Sequence, residues 1–275
     1  MSAQTATAAS TPSSLMLLRE NRGGIAILTL NRPQTRNSLS EALLEALGDA
    51  LSAIAQDPTA RAVVLAAQGS AFSAGHDLKE LNAHRSDGDR GHAYFKHIMS
   101  LCSRVMQQIV TLPQPVIASV HATATAAGCQ LVTSCDLAVA SQAAKFATPG
   151  VNIGLFCSTP MVALSRNVSR KHAMQMLLTG DLISADEAAR IGLINQVVPA
   201  GQERAAAIKL AEKIAAKSTH TVKIGKEAFY RQAEMSLAAA YDYASQVMVE
   251  NMLARDAEEG INAFIEKRDA KWQDC

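Results

Sequence analysis

Three apolar runs constrain this chain more than any other feature: "RAVVLAAQG" (61–69), "PVIASVH" (115–121) and "LAVAS" (137–141). None alternates apolar with polar residues, so each reads as a strand covered on both faces. That is the condition of a largely parallel sheet flanked by helices. Segments of helical period stand between and after the strands, which predicts α/β layering. "SLMLLRENRGGIAILTLN" (14–31) adds a hairpin turned at Gly-Gly. The segment "SLSEALLEALGDALSAIAQDP" (38–58) opens a helix with Ser38 and Glu41 at capping-box spacing. A second box, Ser184 with Glu187, opens "SADEAARIG", and Gly192 is its expected stop. Pro113 and Pro115 end the helix of "AYFKHIMSLCSRVMQQIVTLP" (93–113). From about residue 158 the periodicity predicts helix throughout, with amphipathic segments near 201–216, 218–232, 235–254 and 257–270.

The expected organisation is a disordered tail over 1–14, an α/β core over 15–200 and a helical C-terminal region over 201–275. A formal net charge of +1, one Trp and four Tyr exclude an advertised nucleic-acid surface. No run of about eighteen apolar residues predicts a membrane span. The opening "MSAQTATAASTPSS" lacks the basic start and apolar stretch of a signal peptide. Five cysteines without a C-x-x-C pair suit a reducing compartment. Together these predict a cytoplasmic protein.

Metalloprotease, P-loop, dinucleotide and nucleophile-elbow motifs are absent, and the histidines show no metal-ligand spacing. Two turns stand out, "FSAGHD" (72–77) and "HATATAAGCQ" (121–130), each between a buried strand and a helix. Small residues there let backbone approach a ligand, and the first amides of a helix lack internal partners. Two such N–H groups aimed at one point make an oxyanion hole. The pattern alone is met more readily by small residues that merely allow tight strand–helix packing. Asp77, opening "LKEL", reads as an N-cap or first-turn acid.

Six ordered segments, "NRPQTRNSLS", "AFSAGHDLKEL", "PVIASVHATATAAGCQLVTSCDLAVAS", "KFATPGVNIGLF", "MLLTGDLISADEAARIGLINQVVP" and "FIEKRDAKW", resemble the crotonase, or enoyl-CoA hydratase/isomerase, family from about residue 15 to 273. Within it, "ATAAGCQLV" and "GVNIGLFCSTP" resemble one branch that carries the same segments. The resemblance implies a crotonase-type spiral of ββα units with a helical C-terminal trimerisation region, assembled as a homotrimer or hexamer. It implies an acyl-CoA ligand and an enoyl-CoA hydratase/isomerase-like lyase activity, with no cofactor beyond the coenzyme A thioester itself.

The thioester oxygen would lie between the backbone amides of His76 and Ala127, the latter in an "AAG" triplet where the family carries a Gly-Gly-Gly-like one. Arg36 would contact a CoA phosphate, and the backbone of Ala74 and Gly75 would lie along the ligand. Phe264 and Lys267 match positions that approach CoA, commonly from a neighbouring subunit. The two glutamates of family hydratases fall on Gln130 and Gly150. Gln is no general base near neutral pH and Gly has no side chain. Decarboxylation, thioester hydrolysis and non-catalytic acyl-CoA binding therefore stand as alternatives. Cys129, Asn152, Cys157, Ser158 and Thr159 lie near the same turns, and the "AGHD" turn also resembles family members that decarboxylate methylmalonyl-CoA.

Overall fold

Gly23 and Gly24, both at positive φ, turn the chain between β1 (Leu17–Arg22) and β2 (Ile25–Leu30), an antiparallel hairpin with Arg22 opposite Ile25. In this computed structural model residues 15–275 are described, so the tail expected over 1–14 lies outside the described residues. A six-stranded sheet has the order β1-β2-β3-β5-β7-β10, built on β3 (Ala62–Ala67), β5 (Val116–Val120), β7 (Leu137–Ser141) and β10 (Gln196–Val198). Every pairing after the hairpin is parallel. A second sheet has the order β4-β6-β8-β9: β4 (Ala71–Ser73), β6 (Thr123–Thr125), β8 (Lys145–Ala147) and β9 (Ile183–Ser184). Strands β3, β5 and β7 are each followed at once by a short one, β4, β6 and β8, and then by helix, which is the ββα repeat.

The helices before β10 are α1 (Glu41–Ala55), α2 (Leu78–Ala83), α3 (His92–Thr111), α4 (Ala127–Ser134), α5 (Pro160–Asn167), α6 (Arg170–Thr179) and α7 (Ala185–Arg190). Four more follow it: α8 (Glu203–Ala215), α9 (Thr219–Gln232), α10 (Leu237–Met252) and α11 (Arg255–Glu266). Alternate strand residues point to opposite faces of the large sheet. Ile25, Ile27, Val64, Ile117 and Val139 pack under Ala207, Ile208 and Ala211 of α8. Leu28, Val63, Leu65, Ala118 and Val120 join Leu43, Leu47 and Leu51 of α1 and Ile98, Val105 and Ile109 of α3 on the other face. Both faces are covered, and that is why these strands read as unbroken apolar runs.

Helix α9 is docked by a buried ion pair. Lys226 Nζ donates to Asp136 Oδ2 at 2.7 Å and to the Ile109 and Gln114 carbonyls, while Tyr230 donates to Asp136 Oδ1 at 2.9 Å. All three ammonium donors are used, which is how a buried Lys is tolerated.

Two sequence expectations are corrected. The cap of α1 is Ser40, whose hydroxyl accepts from the Leu43 amide, rather than Ser38. The Ser38 hydroxyl is taken by Asp77 Oδ2 at 2.9 Å, because Leu39 forms a β-bridge with His76 and carries the preceding chain onto that turn. The region after residue 158 is not helical throughout: β9 and β10 interrupt it. Strands of two and three residues leave no measurable periodicity, and only pairing with β8 and β7 defines them. Ser184 does cap α7, but Glu187 pairs with Arg190 rather than closing the box.

Candidate active site

Strands β4, β6 and β8 are parallel neighbours, so the turns leaving their carboxyl ends stand side by side. They carry Ala74 to Asp77, Ala126 with Ala127, and Thr148 to Gly150. This is the edge at which parallel α/β sheets bind ligands. The loop of residues 32–40 is laced to the first turn. The Ala74 amide donates to the Arg36 carbonyl at 3.0 Å, the Leu39 amide to Gly75 O at 2.8 Å, and the Ser73 hydroxyl to Asn37 O at 2.8 Å.

Gly75 sits at φ +88°, and a Cβ there would lie 2.9 Å from Ala126 Cβ and 3.1 Å from the Ala127 nitrogen. The first two turns are therefore in van der Waals contact, and glycine is what permits it. Gly128 is required for a related reason, since a Cβ would overlap the Ser73 carbonyl. Ala126 caps α4 at φ 49°, ψ −121°, a conformation that costs a residue with a Cβ about 1–3 kcal/mol. That turn aims the Ala127 amide outward from the first position of α4, where no intrahelical acceptor exists. Among the described residues neither His76 N–H nor Ala127 N–H has a hydrogen-bond partner. Two free amides on touching turns can hold one oxygen and stabilise negative charge on it.

Asp77 performs the capping role expected of it, accepting from the Lys79 and Glu80 amides. Burial works against its ionisation, but the Ser38 hydroxyl, those amides and Arg32 outweigh it and hold the carboxyl below the usual range. Gln130 is buried, and its side-chain oxygen has no partner among the described residues, like the hydroxyl of buried Thr148.

Gly150 is also buried, and its amide donates to Cys157 Sγ at 3.3 Å. A Cβ at 150 would meet Leu155 O at 2.9 Å and Cys157 Sγ at 3.0 Å, so the 154–158 loop occupies the place of a side chain. Burial pushes the Cys157 thiol up, and burial together with nearby Cys157 pushes Cys129 up to about 12. Neither is a thiolate at neutral pH. Among the described residues no group of three or more His, Cys, Asp and Glu could hold a metal.

A cleft of ≈ 540 Å³ opens beside the turns, lined by Arg36, Ala74, Thr125, Ala147, Pro149, Asn152 and Leu182 among others. Arg36 is exposed there, and its guanidinium makes no hydrogen bond or ion pair among the described residues. A larger groove of ≈ 800 Å³ between α1 and α3 contains none of the turn residues. Of the expected site residues only Arg36 and Ala74 line the cleft; Gly75, His76, Ala127, Gln130 and Gly150 lie on the turns and the start of α4 behind it. Phe264, 85% exposed, and Lys267 sit at the end of α11, away from it. Sequence reasoning named the turns but missed Ala126, Thr148 and the sealing of Gly150 by Cys157. An Ala where the triplet needs positive φ was the one available signal.

The fold and the paired turns are those of a crotonase. The family model described as enoyl-CoA hydratase/isomerase matches residues 20–275, and the chain belongs to that family. It is 49% identical over 249 residues to rat "Enoyl-CoA hydratase domain-containing protein 3, mitochondrial", covering 90% of this chain and 81% of the relative. The crystal structure of an enoyl-CoA hydratase of Mycobacterium smegmatis superposes with TM-score 0.90 at 50% identity, over 94% of this chain and 99% of that one. The crystal structure of human enoyl Coenzyme A hydratase domain-containing protein 3 gives TM-score 0.89 at 45% identity, over 94% of this chain and 100% of that one. The expected cytoplasmic location is corrected by these relatives. The rat protein and its frog and human counterparts are all named mitochondrial, not cytoplasmic. Thiols without disulfides fit any reducing compartment, so cysteine usage had no power to separate the two.

Proposed function

We propose that this chain binds an acyl-CoA with its thioester oxygen between the amides of His76 and Ala127, and acts as an enoyl-CoA hydratase/isomerase-like enzyme through a stabilised enolate. The observation that carries this is the contact of two turns that each present an unpartnered amide. Gly75 and Ala74 shape the approach, and Arg36 meets a CoA phosphate, for which a planar guanidinium is suited. No cofactor is required, since the thioester is itself the electron sink.

Hydration is not the chemistry this site favours. Gln130 supplies no base, and the space at Gly150 is filled by Leu155 and Cys157. That packing favours a second reading within the same site: enolate formation without a glutamate pair, as in decarboxylation of a malonyl-type thioester.

Assembly as a homotrimer, or two trimers in a hexamer, would cover exposed apolar residues on α10, α11 and the link between them, where Leu237, Tyr241, Leu253, Phe264 and Ile265 are each at least 70% exposed. It would also bring Phe264 and Lys267 to a neighbour's CoA.

Titration calorimetry with butyryl-CoA tests the core of the proposal. Wild type is expected to bind, and Gly75→Ala, which sets a methyl against the Ala127 amide, to bind at least about tenfold more weakly. Equal binding by the two proteins would refute the placement of the thioester. Rapid loss of enoyl absorbance from crotonyl-CoA would refute the argument against hydration.

A further inference from the structure

The two turns and the loop over them hold four titratable side chains: His76, Asp77, Cys129 and Cys157. Asp77 is occupied as the cap of α2. We infer that the imidazole of His76, rather than a carboxylate, takes and returns the α-proton of the bound thioester, and is the catalytic base of this site. The inference rests on the thioester placement proposed above.

Both ring nitrogens of His76 are covered from solvent and neither makes a well-formed hydrogen bond among the described residues, the Leu39 backbone being the one polar contact of the ring. Four other histidines have a partner for one nitrogen: His84 with Asp87, His97 with Glu41, His121 with Gly69 O and His172 with Ser169, while His121 Nδ1 is buried and unmet like the His76 nitrogens. A buried ring left with one nitrogen poorly met and the other an unmet acceptor is destabilising, and it persists where a ligand or chemistry uses it. The ring also belongs to the residue whose amide binds the carbonyl oxygen. Standard bond lengths keep each ring nitrogen within roughly 5 Å of that amide, the range in which the thioester α-carbon must lie. The ring must turn to present a nitrogen there. A half-turn about Cβ–Cγ exchanges each nitrogen with a ring carbon inside the same volume.

The charge states agree with this geometry. Burial lowers the His76 pKa and a weaker hydrogen-bonding contact of the ring with the Leu39 backbone raises it, so at neutral pH the ring is neutral, with the nitrogen away from Leu39 carrying the free lone pair. The two thiols are shifted the other way and stay protonated.

In the step itself the Cα–H bond breaks and the proton passes to a ring nitrogen. Its electron pair forms the Cα=C bond while the C=O π pair moves onto oxygen, where the His76 and Ala127 amides hold it. The imidazolium returns the proton to Cα. For an acyl chain with a 3,4 double bond it delivers the proton to Cγ instead, giving the conjugated 2-enoyl thioester. No water, oxidant or other reactant is consumed, which suits a site whose second acid position is filled.

The test is deuterium incorporation at Cα of butyryl-CoA in D₂O, followed by NMR, with calorimetric binding measured on the same proteins. His76→Phe keeps the backbone amide and is expected to bind within about threefold of wild type while exchange falls at least about 100-fold. His76→Ala is expected to regain exchange when imidazole is added. His76→Gln repeats the comparison should the Phe variant not fold. Exchange at the wild-type rate in the variants overturns the assignment, and so does a wild type that binds but does not exchange. A wild type that fails to bind butyryl-CoA overturns the thioester placement first, and the base with it.

Discussion

Restoring a carboxylate at residue 150 is expected to unfold the loop before it restores hydration. The backbone of Gly150 is not at positive φ, so the obstacle is packing alone. A Cβ there would sit 2.9 Å from Leu155 O, 3.0 Å from Cys157 Sγ and 3.3 Å from Cys157 N, and two of those three are backbone atoms that no rotamer change can move aside. Overpacking of this kind costs about 1–3 kcal/mol. Displacing the loop also breaks the Gly150 N–H···Sγ contact, worth about 0.5–1 kcal/mol. Gly150→Ala should therefore lose about 2–3 kcal/mol in urea denaturation, and Gly150→Glu at least as much. Cys157→Ala removes the sulfur a methyl would strike, so Gly150→Ala with Cys157→Ala should cost about 1 kcal/mol less than the sum of the single changes. Gln130→Glu with Gly150→Glu should show no gain in crotonyl-CoA hydration. A stable Gly150→Glu protein, strictly additive energies, or a double-glutamate variant that hydrates crotonyl-CoA would each show that the 154–158 loop does not seal this position.

Ala126→Gly should stabilise the fold by about 1 kcal/mol, the strain relieved at φ 49° less the added entropy of an unfolded glycine, read as a higher denaturation midpoint. Lys226→Met should cost about 3 kcal/mol or more, because it leaves the Asp136 carboxylate buried without its ammonium. A loss below about 1 kcal/mol would show that the pair does not hold α9. The Asp274 carboxyl is held down at about 2 from 3.8, first by the Arg61 hydrogen bond and also by the Thr219 amide. A depressed pKa contributes stability above the unfolded value, so that contribution is complete at pH 5–7 and fades as pH falls from about 4 to about 2. After solvent screening it amounts to about 1 kcal/mol, and the gap between wild type and Asp274→Asn should close over that acid window.

What could be known from the residues alone follows from local physics. The unbroken apolar runs required strands covered on both faces, and α1, α3 and α8 cover them. The Gly-Gly hairpin, the Pro stop of α3 and the capping of α2 by Asp77 were legible because each depends on neighbours a few positions away. The two small-residue turns were legible as a pair, though not as a contact. What only the tertiary structure decided spans long separations. Parallel pairing of β4, β6 and β8 set Gly75 against Ala127, and the Leu39–His76 bridge drew Ser38 from the α1 cap to Asp77. Cys157, seven positions on in the chain, stands where a side chain at 150 would, a closure set by the fold of the 154–158 loop rather than by any period. Contacts between residues dozens of positions apart leave no period or spacing behind. The same sequence that showed two small-residue turns could not say which of their polar groups would be left unpaired.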